Sequence, residues 1–291
     1  MRIARAPEEL PEGRRAVALG TFDGVHLGHR RVLDAARASD GLVSTAVTFW
    51  PHPRIALGNR VELLTSLERR LELLAAAGLD EAFVVEFSPD LARLTPEQFA
   101  ERILRPIGTE IVAAGANFRF GRARAGDLDL LARLGFEVRP VELSDGISSS
   151  EIRRLLHAGE VERAARALGR PPEVEGTVVA GDQRGGTLGY PTANLDVDPA
   201  LRVPAYGIYA GAADGNRAAI SIGTNPHYGG QERRVEAFLL DFEGDLYGQR
   251  LVLELWTRLR EERAFASEAE LVEQIGRDVE AVRQAVRPDV S

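Results

Sequence analysis

AVALGTFDGVHLGH, residues 16–29, decides how the first half of the chain is read. The apolar run AVALG suits a strand covered on both faces, and HLGHRRVLDAA, residues 26–36, opens a helix directly after the turn. A strand entering a helix through a short glycine-bearing loop is the first half of a βαβ unit. The string holds neither a P-loop nor a GxGxxG pattern, which excludes the ordinary kinase and dinucleotide fingerprints here. His26 and His29 are three apart, on one face of the first helical turn, beside open backbone N–H groups and the positive end of the helix dipole. That arrangement suits a triphosphate: Gly20 and Gly28 permit close backbone approach, and the imidazoles donate to charge developing in phosphoryl or nucleotidyl transfer. Two blander readings stand beside it. Paired histidines at a helix start are often surface groups or caps, and a zinc site could use them, although HExxH and cysteine are both absent.

The alternation continues outward. TAVTF (45–49), AFVVEF (82–87), EIVAAG (110–115) and FEVRPV (136–141) read as further buried strands. Helix starts are marked by Thr65 with Glu68, Thr95 with Pro96 and Gln98, and Ser148 with Glu151. The expectation is a Rossmann-like, doubly wound parallel sheet with ligands at the carboxyl ends of its strands. LGRPPEVEG (168–176) then reads as a linker, since Pro171 and Pro172 cannot continue a helix. After it GIYAGAA (207–213), AAISIG (218–223), RVEAFLLDF (234–242) and RLVLELW (250–256) predict a small antiparallel β-barrel. A last helix over about 267–286 carries Leu271, Val272, Ile275, Val279 and Val282 on one stripe, to pack on that barrel. The expected domains are therefore residues 1–168 and 177–291, joined by a linker at 169–176.

Composition narrows the partners. A chain of 291 residues fits about two domains. With 44 acidic against 36 basic residues the net charge is −8, which argues against nonspecific binding to nucleic acid or to anionic lipid. Every basic residue other than histidine is arginine, so Schiff-base chemistry and a P-loop lysine are excluded, and the absence of cysteine excludes disulfides, thiol nucleophiles and iron–sulfur clusters. No apolar segment has the length of a signal peptide or membrane span, and the expected location is the cytoplasm.

GDQRGGTLGYPTANL, residues 181–195, is a second constellation. Its glycines leave N–H groups open to phosphate, and Thr192 and Asn194 offer two neutral oxygens suited to Mg²⁺ held chiefly by ATP, although barrel turns use glycine anyway. In VEAFLLDF, Glu236 and Asp241 are an odd number of positions apart, which predicts that only one of them faces a pocket.

GTFDGVHLGH resembles the HxGH signature of the nucleotidyltransferase superfamily, in the form found in the bacterial bifunctional riboflavin kinase and FAD synthetase family. TFWPHP (48–53), NFRFGRARAGD (117–127) and ISSSEIR (147–153) fit the same family, as do GYPTAN, YGIYAG, IGTNPHYGG and VEAFLLDFEGDLYG, in order and spacing. The resemblance implies an FMN adenylyltransferase of nucleotidyltransferase type in the first half and a riboflavin kinase barrel in the second, with Mg²⁺, ATP, riboflavin, FMN and FAD as cofactor, substrates or products. In the first half it implies His26 and His29 as catalytic groups and Gly20, Phe22, Asp23, Gly28, Asn117, Ser149, Ser150 and Arg153 around ATP, with Pro51, His52 and Pro53 lining the flavin pocket. In the second it implies Glu236 as general base, Gly181, Arg184, Gly189 and Pro191 around ATP, Thr192 and Asn194 at the metal, and Arg260 and Phe265 of LREERAF over the flavin. Local departures are Gly186 where many relatives carry Arg, His227 and Tyr228 in place of Thr-Phe, and Phe238 in place of His. A noncatalytic flavin-binding protein and an enzyme with a single live half are the competing readings. Oligomeric state is not legible.

Overall fold

The computed structural model describes residues 1–142, 146–181, 190–224 and 233–290, and the chain divides into two compact units, Met1–Ser149 and Ser150–Ser291. In the first, strands β1 (Arg2–Ala4), β2 (Arg15–Leu19), β3 (Val43–Trp50), β4 (Glu81–Glu86), β5 (Thr109–Gly115) and β6 (Glu137–Val141) form one parallel sheet in the order β1-β4-β3-β2-β5-β6. The five strands read from sequence are all present. β1 is an addition at the edge, too short to show a period.

Alternate residues of the strands face two separate cores. Val17, Leu19, Val47, Phe49, Phe83 and Val85 meet Phe99, Leu104, Phe120 and Leu131, while Ala16, Ala18, Ala46 and Ala82 meet Val32, Leu33, Leu71 and Leu74. Burial on both faces is the reason the strands read as unbroken apolar runs. Alanines on the second face let helices α1 (Leu27–Arg37) and α3 (Leu67–Ala76) lie close to the sheet. Between them, α2 (Pro53–Ala56) follows β3 directly. α4 (Pro89–Arg93), α5 (Pro96–Phe99) and α6 (Leu128–Arg133) are further α-helices of this unit, α5 running on into a π-helical turn at Ala100–Leu104. Thr95 and Gln98 form the expected capping box. α3 begins one residue later than Thr65 predicted: Ser66 is its cap, because Thr65 Oγ1 accepts from Gly24 N at 3.3 Å instead.

The chain runs from β2 outward to β3 and β4, then returns past β2 to β5 and β6. β2 and β5 therefore flank the switch point, where a crevice opens at their carboxyl ends.

The second unit opens with α7 (Ser149–His157, its first residue in unit one) and α8 (Val161–Leu168). β7 (Glu173–Val179), β8 (Ala193–Asp196), β9 (Gly207–Ala213), β10 (Asn216–Thr224), β11 (Arg233–Leu239) and β12 (Arg250–Arg260) close an antiparallel barrel in the order β10-β11-β8-β7-β12-β9. α9 (Glu268–Gln284) follows, its Val279 and Val282 packed with Ala210, Phe238 and Leu240.

The segment expected as a linker, 169–176, is in part barrel. Helix α8 does stop before Pro171, at a left-handed Gly169 (φ 70°), but Glu173 to Gly176 pair with Glu254 to Leu251 of β12. Nor do α7 and α8 go with the sheet: α8 packs on β12, the Thr257 hydroxyl donates to the Glu162 carboxylate, and Ala205 N donates to Leu156 O at 3.0 Å. The units divide at 149/150 because the apolar face of α7–α8 belongs to the barrel.

Candidate active sites

The loop after β2 is held from beneath. Gly24 takes φ 85°, and Phe22 (φ 51°) and Val25 (φ 40°) are non-glycine residues in the left-handed region, each costing on the order of 1–3 kcal/mol unless its surroundings fix it. The fixing groups are visible. The Asp23 carboxylate accepts from Leu64 N (3.0 Å) and Thr65 N (3.3 Å), Thr48 Oγ1 donates to Thr21 O (3.0 Å), and Ser149 Oγ donates to Asp23 O (3.0 Å). Phe22 and Asp23, expected around ATP, are each 1% exposed, so their side chains shape the loop from its buried side. Gly20 is small because the Phe22 ring lies against it.

His26 is the N-cap of α1, and its Nδ1 accepts from His29 N at 3.2 Å. An imidazole that accepts at Nδ1 carries its proton on Nε2, leaving a ring donor. The two histidine rings stack at 3.6 Å between centroids, and Phe22 meets His29 edge-on at 5.4 Å. His52 repeats the device at the end of β3: it caps α2 by accepting from Arg54 N at Nδ1 (3.2 Å), between Pro51 and Pro53, with the Trp50–Pro51 bond cis. Asn117 is exposed just past the carboxyl end of β5. The sheet thus brings His26, His29, the Pro51-His52-Pro53 turn and Asn117 to the carboxyl ends of three adjacent strands, β3, β2 and β5. Gly28 lies in the first turn of α1, and Ser149, Ser150 and Arg153 lie in the first turns of α7.

Arg70 was not singled out from sequence. It is fully buried on α3, its Nη1 donates to Phe49 O (3.3 Å), its Nη2 lies 3.8 Å from Asp23 Oδ1, and its guanidinium stands 5.5 Å from the Trp50 ring centre. Burial pulls this guanidinium below its ordinary value, with Asp23 acting in the opposite direction. The signal was present: Leu67, Arg70, Leu71 and Leu74 share one helical stripe, and an arginine on an apolar stripe needs a buried partner.

In the barrel, Glu236 on β11 stands opposite Asn194 on β8, and Thr192 Oγ1 donates to Glu236 Oε2 over a long 3.5 Å. Val235, Ala237 and Leu239 fill the barrel, so Glu236 lies on the other face of the strand with Arg234 and Phe238. Arg234 Nη1 donates to Glu236 Oε1 at 3.2 Å, a partner not foreseen from sequence. A Cβ on Gly181 would overlap the Asn194 amide, so this glycine is required by close approach. Pro191 is exposed before β8; Arg184 and Gly189, with Gly186, His227 and Tyr228, lie outside the described residues. Phe238 meets Tyr190 edge-on at 5.3 Å. Asp241 is a correction to the parity argument, since β11 ends at Leu239; it sits in a turn (φ 57°) and binds Arg283 of α9 through both oxygens at 2.7 and 2.8 Å. Arg260, at the end of β12, pairs with Asp278 (2.7 Å) and stands 5.7 Å from the Phe265 ring centre.

Mg²⁺ takes oxygen ligands and keeps much of its coordination for phosphate and water. Thr192, Asn194 and Glu236 form an all-oxygen group in which Gly181 leaves room beside the amide, and the donor set fits that ion.

A profile of the FAD synthetase family matches residues 9–151, and one of the riboflavin kinase family matches residues 168–286. The chain is 35% identical to the bifunctional riboflavin kinase/FMN adenylyltransferase of Listeria monocytogenes, over 95% of this chain and 94% of the relative. To the Bacillus subtilis protein of the same description it is 36% identical, over 94% and 93%, and to that of Escherichia coli 33%, over 97% and 95%. A solved structure described as a macrolide-efflux protein from Streptococcus pneumoniae matches with a TM-score of 0.87 at 30% identity, covering 98% of this chain and 99% of that one. No helix among the described residues is long and apolar enough to cross a membrane.

Proposed function

The chain belongs to the bifunctional riboflavin kinase/FMN adenylyltransferase family, and from that premise we propose which residues carry each reaction. Riboflavin and ATP give FMN and ADP; FMN and a second ATP give FAD and pyrophosphate. The small-molecule partners are therefore riboflavin, FMN and ATP.

For the adenylyl step, a phosphate oxygen of FMN attacks the α-phosphorus of ATP and pyrophosphate leaves. His26, as the Nε2–H tautomer, and His29 donate to the triphosphate beside the N-terminus of α1, where the helix dipole favours negative charge. The Asp23, Thr65 and Ser149 contacts keep that donor array rigid before substrate arrives. Asn117, Ser150 and Arg153 are assigned to phosphate, and Pro51, His52 and Pro53 to the flavin.

For the kinase step, Glu236 takes the proton of the riboflavin 5′-hydroxyl as its oxygen bonds to the γ-phosphorus and ADP leaves. Arg234 fixes Oε1 and thereby aims Oε2. Thr192 and Asn194 would hold Mg²⁺, which neutralises phosphate charge when bound. Gly181, Pro191 and, from the sequence, Arg184 and Gly189 are assigned to ATP, with Phe265 covering the flavin. We assign the protein to the cytoplasm, with no nucleic-acid or membrane partner, in keeping with its net charge of −8.

The observation that carries the reading is that each half of the chain holds a separate polar constellation inside its own family match. Incubation with riboflavin, ATP and Mg²⁺, followed by chromatography of the flavins, should show FMN and then FAD. Accumulation of FMN alone would leave a single live half, and unchanged riboflavin would leave a binding protein.

A further inference from the structure

The seven residues that follow β12, before α9 begins, are pinned by the helix they lead into. Arg260 Nη2 donates to Asp278 Oδ2 at 2.7 Å, and its Nε lies 3.1 Å from both carboxylate oxygens. Asp278 is the eleventh residue of α9, about 15 Å from the helix start, so this pair folds the helix back along the segment. It is also a buried carboxylate, 7% exposed, on a helix whose other acidic groups are mostly exposed. Gln274, one turn earlier, donates to Asp278 Oδ1 at 2.9 Å and accepts from Arg263 Nη2 at 2.7 Å. Both arginines stand over one ring: the Phe265 centre is 5.7 Å from the Arg260 guanidinium and 4.8 Å from that of Arg263. Glu262 lies across the end of β10, where Gly223 has no Cβ to obstruct it. At the far end Ser267 caps α9 by accepting from Glu270 N at 3.3 Å, and Ala266 N donates to Glu270 Oε2 at 3.2 Å.

We propose that Asp278, steadied by Gln274, is a positioning residue for riboflavin: it holds Arg260, and Arg260 with Arg263 holds Phe265 where the flavin ring packs. This rests on the assignment of Phe265 to the kinase flavin site. Asp278 touches no reacting atom, and the edge of Arg260 that faces it is occupied by the carboxylate. Arg260 then contributes to flavin binding through the ring it orients. The carboxylate removes most of the cost of burying that guanidinium, so loss of either partner frees the segment without touching Glu236.

The test is a double-mutant cycle on the full chain with Asp278→Asn, Arg260→Gln and the pair together, read as KM and kcat of riboflavin phosphorylation. Asp278→Asn should raise the KM for riboflavin about tenfold, the scale of one lost charge-assisted hydrogen bond, with kcat and the KM for ATP within about twofold. The double variant should be no worse than the poorer single one, because the two residues act through one contact. A retained kcat at saturating riboflavin reports that the barrel is folded. Should Asp278→Asn fold poorly, Gln274→Leu, at a half-buried position, should raise the same KM by a smaller factor. Additive effects, or an unchanged riboflavin KM in both Asp278→Asn and Gln274→Leu, would overturn the proposal. Phe265→Ala separates the levels: if it raises KM while Asp278→Asn does not, the latch is wrong and the flavin site stands, and if neither moves KM the flavin assignment itself fails.

Discussion

His26 and His29 each do two things at once: one caps the helix, the other supplies the amide it caps, and the stacked rings present their remaining edges together. A cap and the proposed phosphate donor are then the same residue, so the bland reading of the pair and the functional one are compatible. His29→Ala should abolish FAD formation from FMN while riboflavin phosphorylation continues, and Glu236→Gln should do the reverse, since an amide cannot take the hydroxyl proton. Two assays on each purified variant decide it; equal loss of both activities in a folded variant would break the two-site assignment. Arg70 gives a subtler case. Arg70→Met leaves Asp23 with its two backbone donors but removes the buried charge 3.8 Å away, and should lower FAD formation at least about tenfold and destabilise the first unit by about 3 kcal/mol. Urea unfolding with the same two assays measures both, and unchanged adenylylation would remove Arg70 from the support of the loop. Candidate site residues were legible where they sat in a dense string such as GTFDGVHLGH. The partners Arg70 and Asp278 were not, because each acts on a residue of another element and no local pattern encodes a tertiary pairing, whereas Arg234 stands two positions before Glu236 on the same strand face, where the period of a strand already places it.

Among the elements, those with a clear period were read correctly and the short or irregular ones were not. β7 begins inside the stretch that Pro171 and Pro172 mark as a linker, and its Gly176 is required where a Cβ would overlap the backbone of Asp196. β8 has four residues and no period of its own. On α9 the predicted stripe is fully buried only at Val282, with Val279 partly buried beside it, while Gln274 and Asp278 turn to Arg263 and Arg260. β9 carries the clearest energetic marker in the barrel. Tyr209 is fully buried, its hydroxyl donates to Ala205 O at 2.6 Å, and desolvation pushes it up to about 12, with Arg258 pulling the other way. A folded value above the unfolded one means that this contribution is complete below about pH 10 and is lost as pH rises toward 12. Tyr209→Phe should lower stability at neutral pH by about 1 kcal/mol through the lost hydrogen bond, and flatten the fall in stability on the alkaline side of pH 10. Urea midpoints measured across that range test it, and an alkaline limb as steep as the parent's would place the proton elsewhere.

For the chain as a whole, the two family matches leave residues 152–167 outside both, and the structure assigns that stretch to the barrel unit. The sequence divided the molecule after α8 since prolines are conspicuous, whereas the true criterion is which core receives an amphipathic helix. Ile152, Leu155, Leu156, Val161, Ala164, Ala165 and Leu168 are all buried, and Gly159 lies against the Arg258 side chain of β12. A barrel cut at Pro172 would expose the part of β12 under α8, lose the Glu162 partner of Thr257, and leave Ala205 N without Leu156 O. Burying even four of those aliphatic side chains is worth several kcal/mol, at roughly 1.5–3 kcal/mol each for the larger ones, against a whole-domain stability of only about 5–15 kcal/mol. The fragment 150–291 should therefore fold cooperatively and phosphorylate riboflavin at a rate within about twofold of the intact chain, with no FAD formed. The fragment 172–291 should unfold at a clearly lower urea concentration or fail to accumulate in folded form. Circular dichroism during urea titration, with kinase assays on the same samples, compares them. Equal midpoints would mean that α7 and α8 are carried by the barrel without supporting it, and an inactive but folded 150–291 fragment would mean that the kinase half needs the first unit.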